Sequence, residues 1–140
     1  HAFMEGTIRS LDETTRAALR EGVGRVAQGT AASHGCSCTH EVVAGYPVTI
    51  NDHEQAALTQ IVTSELLGAD NYVEMPRARM GAEDFSYVLQ QVPGAMAFLG
   101  VCPDDQDPST AAPNHSNLMR INESGLTNGV ALYAAMALAG

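Results

Sequence analysis

His115 stands in a loop of small polar residues, Ala112-Pro113-Asn114-His115-Ser116-Asn117, with no apolar periodicity around it. An imidazole in such a loop is a candidate metal ligand or general base, and a buried core histidine does not belong there. A catalytic zinc ion takes about three protein ligands, so His115 alone cannot complete a site. Arg9 ends a strand-like run. Its planar fork is either a solvated strand-end charge or a bidentate clamp for a substrate carboxylate. Met80-Gly81-Ala82-Glu83-Asp84-Phe85 places a glycine turn and two acids at a helix start. Acids there complement the helix dipole without any further role. Gly81 would also let a substrate approach the backbone closely.

His34-Gly35-Cys36-Ser37-Cys38-Thr39-His40 puts a soft ligand at every second position, which suggests zinc. Strand geometry argues against it. Same-face neighbours on a strand stand roughly 6.5–7 Å apart, whereas zinc holds each sulfur at about 2.3 Å. Four residues strung along roughly 20 Å of strand do not converge on one ion. Cys36 and Cys38 therefore read as small packing residues, and His34 and His40 as strand-end polar residues. His53, between Asp52 and Glu54 at a helix start, reads as solvated.

The elements that must position these residues follow from periodicity. Phe3 to Arg9 alternates as a strand. Ser10 and Glu13 form a capping box for a helix reaching about Ala31. Leu19, Val23, Val26 and Thr30 are its expected buried stripe, with Arg16, Arg20 and Glu21 in water. Gly22, Gly24 and Gly29 weaken that helix, so it needs close packing. Cys36 to Ala44 is a second strand, closed by Gly45-Tyr46-Pro47. Asn51-Asp52 caps a helix from His53 to Leu67, stopped by Gly68, with Ala57, Leu58, Ile61, Val62 and Leu66 inward. Tyr72 to Glu74 is a short strand and Glu83 to Gln91 a short helix, followed by a Pro93-Gly94 turn. Ala95 to Cys102 reads as a buried apolar strand, and Pro103 to Asn117 as an acidic loop. Asn122 caps a last helix with Leu126, Val130, Tyr133 and Ala137 on one face. The alternation is of α/β type, with a shift near Asn51.

The chain has 140 residues, 45% of them hydrophobic, enough for a real core. Its net charge is −9. No basic stripe exists to meet nucleic acid or an anionic membrane. All seven basic residues are Arg, so a catalytic, Schiff-base or P-loop Lys is excluded. No signal peptide is expected at the start, and the apolar run from Gly129 to Gly140 is too short to span a bilayer. Three Cys do not make a disulfide framework, and a reducing cytoplasm is the simpler expectation.

The spaced motifs together carry a pattern. In order they are Gly6-Thr7-Ile8-Arg9-Ser10, Gly45-Tyr46-Pro47 with Asn51-Asp52, Gly81-Ala82-Glu83-Asp84-Phe85-Ser86-Tyr87, Pro93-Gly94 with Phe98-Leu99-Gly100, and Asn114-His115-Ser116. In these, over essentially its full length, the chain resembles the C-terminal half of the zinc-dependent amidohydrolases of the aminoacylase, hippurate hydrolase and indole-acetyl-amino-acid hydrolase type. The resemblance implies an α/β catalytic domain interrupted by a ferredoxin-like lid that forms a homodimer. Residues 1–50 would be the second half of the lid, and residues 51–140 the C-terminal part of the catalytic domain. His115 matches a ligand to one of two divalent metal ions, zinc or alternatively manganese or nickel. Arg9 matches the lid residue that holds the free carboxylate of an N-acyl amino acid or small peptide, and Gly81 a turn beside the substrate. The other ligands (Cys, His, Glu and a second His) and the general-base Glu would lie upstream, so the chain alone would be inactive. One departure is Met119, where the family often has Phe.

Two rival readings belong to other classes. A non-catalytic interaction module would dimerise through an unpaired lid edge. A small metal-binding module would use Cys36, Cys38, His34 and His40.

Overall fold

Two helix starts are set by aspartates whose side chains meet free backbone amides, Asp12 and Asp52. In a computed structural model, which describes residues 1–140, four helices form: α1 (Glu13–Ser33), α2 (His53–Leu67), α3 (Phe85–Leu89) and α4 (Ser124–Ala139). A 3-10 turn, Ala69–Asn71, follows α2. Asp52 accepts from the Gln55 amide at 3.0 Å, and Gly68 ends α2 at φ 96°. Both bounds of α2 are as expected from its cap and stop residues.

The expected α/β fold is corrected in one respect: the structure is helical and contains no strand. Phe3 to Arg9, Cys36 to Ala44, Tyr72 to Glu74 and Ala95 to Cys102 all run on without turn or bend, as strands would. Yet no two of them exchange ladder bonds. A strand exists only through a neighbour that takes up its N–H and C=O groups, and none of the four has one.

The chain divides into two units. The first joins His1–Ile50 to Met75–Pro93, and the second joins Asn51–Glu74 to Gly94–Gly140. In the first, Asp12 rather than Ser10 caps α1, accepting from the Thr15 amide and hydroxyl at 2.7 Å each. Glu13 does not close a capping box. It accepts from the Val48 amide at 2.8 Å and pairs with Arg16 at 3.0 Å. Arg16 in turn donates to the Gly45 carbonyl at 2.8 Å. The first turn of α1 thus clamps residues 45–48, and Tyr46 meets Tyr87 of α3 edge to face at 5.9 Å.

Glu21 is exposed as expected, but the rest of the α1 pattern is turned over. Arg16, Arg20, Gly24, Ala27 and Ala31 are the covered positions, while Leu19, Val23 and Val26 are exposed. Gly24 is the close contact its weak propensity called for: a Cβ there would run into the His40 imidazole.

In the second unit α2 packs on α4. The buried face of α2 is Thr59, Val62 and Thr63, with Ile61 and Leu66 left exposed. The Thr59 hydroxyl donates to the Gln55 carbonyl at 2.7 Å, so its burial leaves no polar atom unpaired. On α4 it is Gly125 and Gly129, with Leu132 and Met136, that turn inward. Leu126, Val130 and Tyr133 face out. A Cβ on Gly125 or Gly129 would come within 3.0 Å of Val101 or Leu99, so the two glycines admit the straight segment 95–102. That segment is only half-covered, and not the buried strand its composition suggests.

The Asn51 carboxamide holds the start of this segment. Its Oδ1 accepts from the Met96 amide at 2.8 Å and its Nδ2 donates to the Met96 carbonyl at 3.1 Å. The Asp52 amide donates to the Gly94 carbonyl at 2.9 Å. At the far end the Asn122 amide donates to the Val101 carbonyl at 2.8 Å. The Asn122 side chain accepts from the Ser124 amide at 3.1 Å just ahead of α4, but the cap position is Glu123, which makes no side-chain cap bond, so the expected Asn122 cap is displaced by one residue.

Accessible surface totals 11,214 Å². A folded chain of this mass would expose about 6,900 Å², and two separate domains of half the mass about 8,400 Å². Val62 is the one buried hydrophobic residue. No helix is long and apolar enough to cross a membrane.

Two outcomes follow. Asn51→Ala removes both bonds to Met96 and should lower unfolding free energy by about 1–3 kcal/mol, with faster hydrogen exchange at the Met96 amide. Asn51→Asp, which keeps the acceptor, should fall between. The second concerns pH. The Val48 amide, then Arg16, holds the Glu13 carboxyl below its ordinary 4.5, and the Thr15 amide and hydroxyl hold Asp12 below 3.8. Both folded values are depressed, so their contribution is full above the ordinary values and disappears as pH falls through the lowered ones. The Val48 amide resonance, followed from pH 6 to 2, should report release of the clamp in that acid window, and Glu13→Gln should flatten the profile.

Candidate metal and substrate-binding residues

The loop carrying His115 is closed at its base by the Val101–Asn122 bond and begins with the turns of residues 103–110. Asp107 organises one of these. The Ser109 hydroxyl and amide donate to its Oδ1 at 2.7 and 2.8 Å. They hold the Asp107 carboxyl below its ordinary range. Asp105 and Arg120 pair across the loop at 3.0 Å, both well exposed, so the pair adds little.

The Ser116 amide donates to the Pro113 carbonyl at 3.1 Å, closing a four-residue turn with His115 in third place. His115 takes φ 71° there and is the one non-glycine residue in the left-handed region. Type II turns ask for Gly or Asn at this place, because a Cβ crowds the backbone. The Ser116 hydroxyl accepts from the Leu118 amide at 3.1 Å, locking the exit of the turn. The result is an exposed imidazole on a constrained backbone. A neutral imidazole nitrogen is a standard zinc donor, so His115 fits one ligand position. No three His, Cys, Asp or Glu side chains gather anywhere in the chain to hold an ion.

Arg9 and Gly81 belong to the other unit. One guanidinium nitrogen of Arg9 donates to the Met80 carbonyl at 2.5 Å, which fixes the arginine one residue from Gly81. The remaining donors of the fork stay available. Gly81 has no positive φ, and a Cβ on it would meet only Glu83 Oε1, at an ordinary 3.5 Å. The fold itself thus sets no demand for glycine at 81.

Glu83 and Asp84 flank the start of α3, but neither side chain caps it. The Glu83 carbonyl accepts from the Ser86 amide at 3.1 Å and from its hydroxyl at 2.5 Å. Ser86 is fully buried. This bond secures the turn behind Gly81, and the sequence marks Ser86 only as a polar residue on a short helix.

The Cys/His run is not drawn together as a ligand set. Cys36 is exposed and Cys38 half-covered, so Cys36 is not the packing residue expected. His40 lies against Gly24 of α1 instead of ending a strand.

Residues 5–139 match the sequence pattern described as Peptidase family M20/M25/M40. The chain is 32% identical over 136 residues to IAA-amino acid hydrolase ILR1-like 4 of Arabidopsis thaliana, covering 94% of the chain and 30% of that protein. It is 33% identical over 138 residues to thermostable carboxypeptidase 2 of Saccharolobus solfataricus, covering 98% and 34%. It is 27% identical over 125 residues to N-acetyldiaminopimelate deacetylase of Leuconostoc citreum, covering 89% and 30%. The chain thus spans about a third of the length of these relatives.

If the left-handed turn is strained by its histidine, His115→Gly should leave unfolding free energy within about 1 kcal/mol of the parent or raise it. His115→Val, β-branched at positive φ, should lower it by about 1–3 kcal/mol. Denaturant titration of the two variants checks both.

Proposed function

The chain belongs to the peptidase family M20/M25/M40, and we propose that it is the C-terminal portion of a metal-dependent amidohydrolase acting on N-acyl amino acids or small peptides. What supports the reading most is His115. In a chain matched to that family nearly end to end, the one non-glycine residue held at positive φ is the histidine that the family resemblance makes a metal ligand.

On this reading His115 supplies one imidazole to a site for two divalent ions, zinc or alternatively manganese or nickel. The other ligands and the general-base Glu lie on the part of the enzyme beyond these 140 residues. Bound metal supplies a water of lowered pKa and a polarised amide carbonyl. Arg9, tethered to Met80, presents its free donors to the substrate carboxylate, where a planar fork gives two parallel bonds. Gly81 leaves its backbone open to the substrate, a reading favoured by the absence of any demand for glycine from the fold.

Residues 1–50 are proposed as half of a ferredoxin-like lid through which the enzyme dimerises, and residues 51–140 as part of the catalytic domain. In a split β–α–β arrangement a third strand stands between the two that flank the helix. That would account for two straight segments around α1 with no ladder between them. The free thiols suit a reducing compartment.

Two kinetic separations test this in a chain extended to the length of its relatives. His115→Ala should cost kcat about 100-fold or more together with metal content, since it removes a ligand. Arg9→Lys should raise KM for a free-carboxylate substrate by about tenfold while sparing the matching carboxamide. The 140-residue chain should hydrolyse neither. Chelator-sensitive hydrolysis by the 140 residues alone would overturn the proposal.

A further inference from the structure

We propose that Cys36 and Cys38 form a two-thiolate site for one soft monovalent cation of the Cu(I) class, at the carbonyl end of α1. The argument starts from the helix end. The His34 and Cys36 amides donate to the Ala31 carbonyl at 3.0 and 2.9 Å, and the Gly35 amide to Ala32 at 3.1 Å. Gly35 takes φ 67° to allow this. Cys36 is thereby fixed just past the last turn.

From Cys36 to Ile50 the chain runs without turn or bend. On extended backbone alternate residues share a face, which sets the two Cα atoms roughly 6.6 Å apart. Two thiolates on opposite sides of one ion, each at about 2.3 Å, stand about 4.6 Å apart. Two one-carbon arms leaning together close that difference, whereas four ligands along the run would not converge.

The thiols are free and open to reaction, Cys36 exposed and Cys38 half-covered. Their contacts are long ones of 3.5 Å to the His34 and Thr39 carbonyls, easily given up. His40 is withheld by its seat against Gly24. Thiolate softness with only two donors selects Cu(I) and excludes the four-coordinate zinc site. On binding, each thiol releases its proton to solvent and two S–Cu bonds form, with no electron transferred.

The test is an anaerobic titration of the 140-residue chain with Cu(I) against a coloured Cu(I) chelator. One ion per monomer is expected, with X-ray absorption giving two sulfurs and no nitrogen. Cys36→Ser or Cys38→Ser should weaken binding by about two orders of magnitude. Cys102→Ser, His34→Ala and His40→Ala should leave it within about threefold. Binding that survives either of the first two substitutions would overturn the proposal. So would a nitrogen shell lost with a histidine, or one ion shared by two chains in native mass spectrometry.

Discussion

The second unit depends on what two adjacent side chains do at its first residues. Asn51 uses its carboxamide as a peptide group, giving and receiving one bond each with Met96. Asp52 caps α2 with its side chain while its amide takes the Gly94 carbonyl. One dipeptide thus starts a helix and anchors a segment more than forty positions away. Once Gly94 to Met96 is fixed, Leu99 and Val101 fall against the glycines of α4, and the Val101 carbonyl receives Asn122. The loop that carries His115 hangs between that bond and the helix it opens. The first unit uses the same economy at Glu13 and Arg16, which close α1 onto residues 45–48 with charged side chains in place of ladder bonds.

Helix positions were legible in the sequence because they are set locally. Asp52 and Gly68 bound α2 by cap chemistry that needs no distant partner. Ser10 and Glu13 misled for an equally local reason. Asp12 is the stronger acceptor for Thr15, which leaves Glu13 free to reach Val48. The straight segments were legible in direction but not in pairing, since a ladder is a property of two strands and periodicity describes one.

Which face each helix covers was not legible, and α1 and α4 fail in the same way. The apolar stripes Leu19-Val23-Val26 and Leu126-Val130-Tyr133 are plain in the sequence and lie exposed. Beside Leu132 and Met136 of α4, the covered positions include small and cationic ones: Gly24 under His40, Gly125 and Gly129 under Val101 and Leu99, Arg16 at Gly45. A hydrophobic stripe records everything a helix buries in its whole protein. A glycine at a crossing records how closely one backbone passes another. In a chain with about a third of the length of its relatives, the second signal is satisfied and the first is left open.

The candidate site divides along the same line. His115 was found from its surroundings, and its turn adds a reason those surroundings could not give: a β-carbon in a conformation that favours glycine. Arg9 was left open between a solvated charge and a clamp. Its bond to the Met80 carbonyl gives the exposed side chain one fixed contact next to Gly81 and leaves both alternatives standing. The chain holds His115 on a constrained backbone and Arg9 on a tether, gathers no ligand set and buries one hydrophobic side chain; on the proposed function these two would be positioning parts of a catalyst without its enclosure. Electrostatic catalysis needs groups fixed before the reaction in a space that excludes water. On the proposed function, the turn at His115 and the tether at Arg9 would meet the first requirement locally. The second requires surface to close over the exposed stripes, and that closure is where the proposed function places the rest of the enzyme.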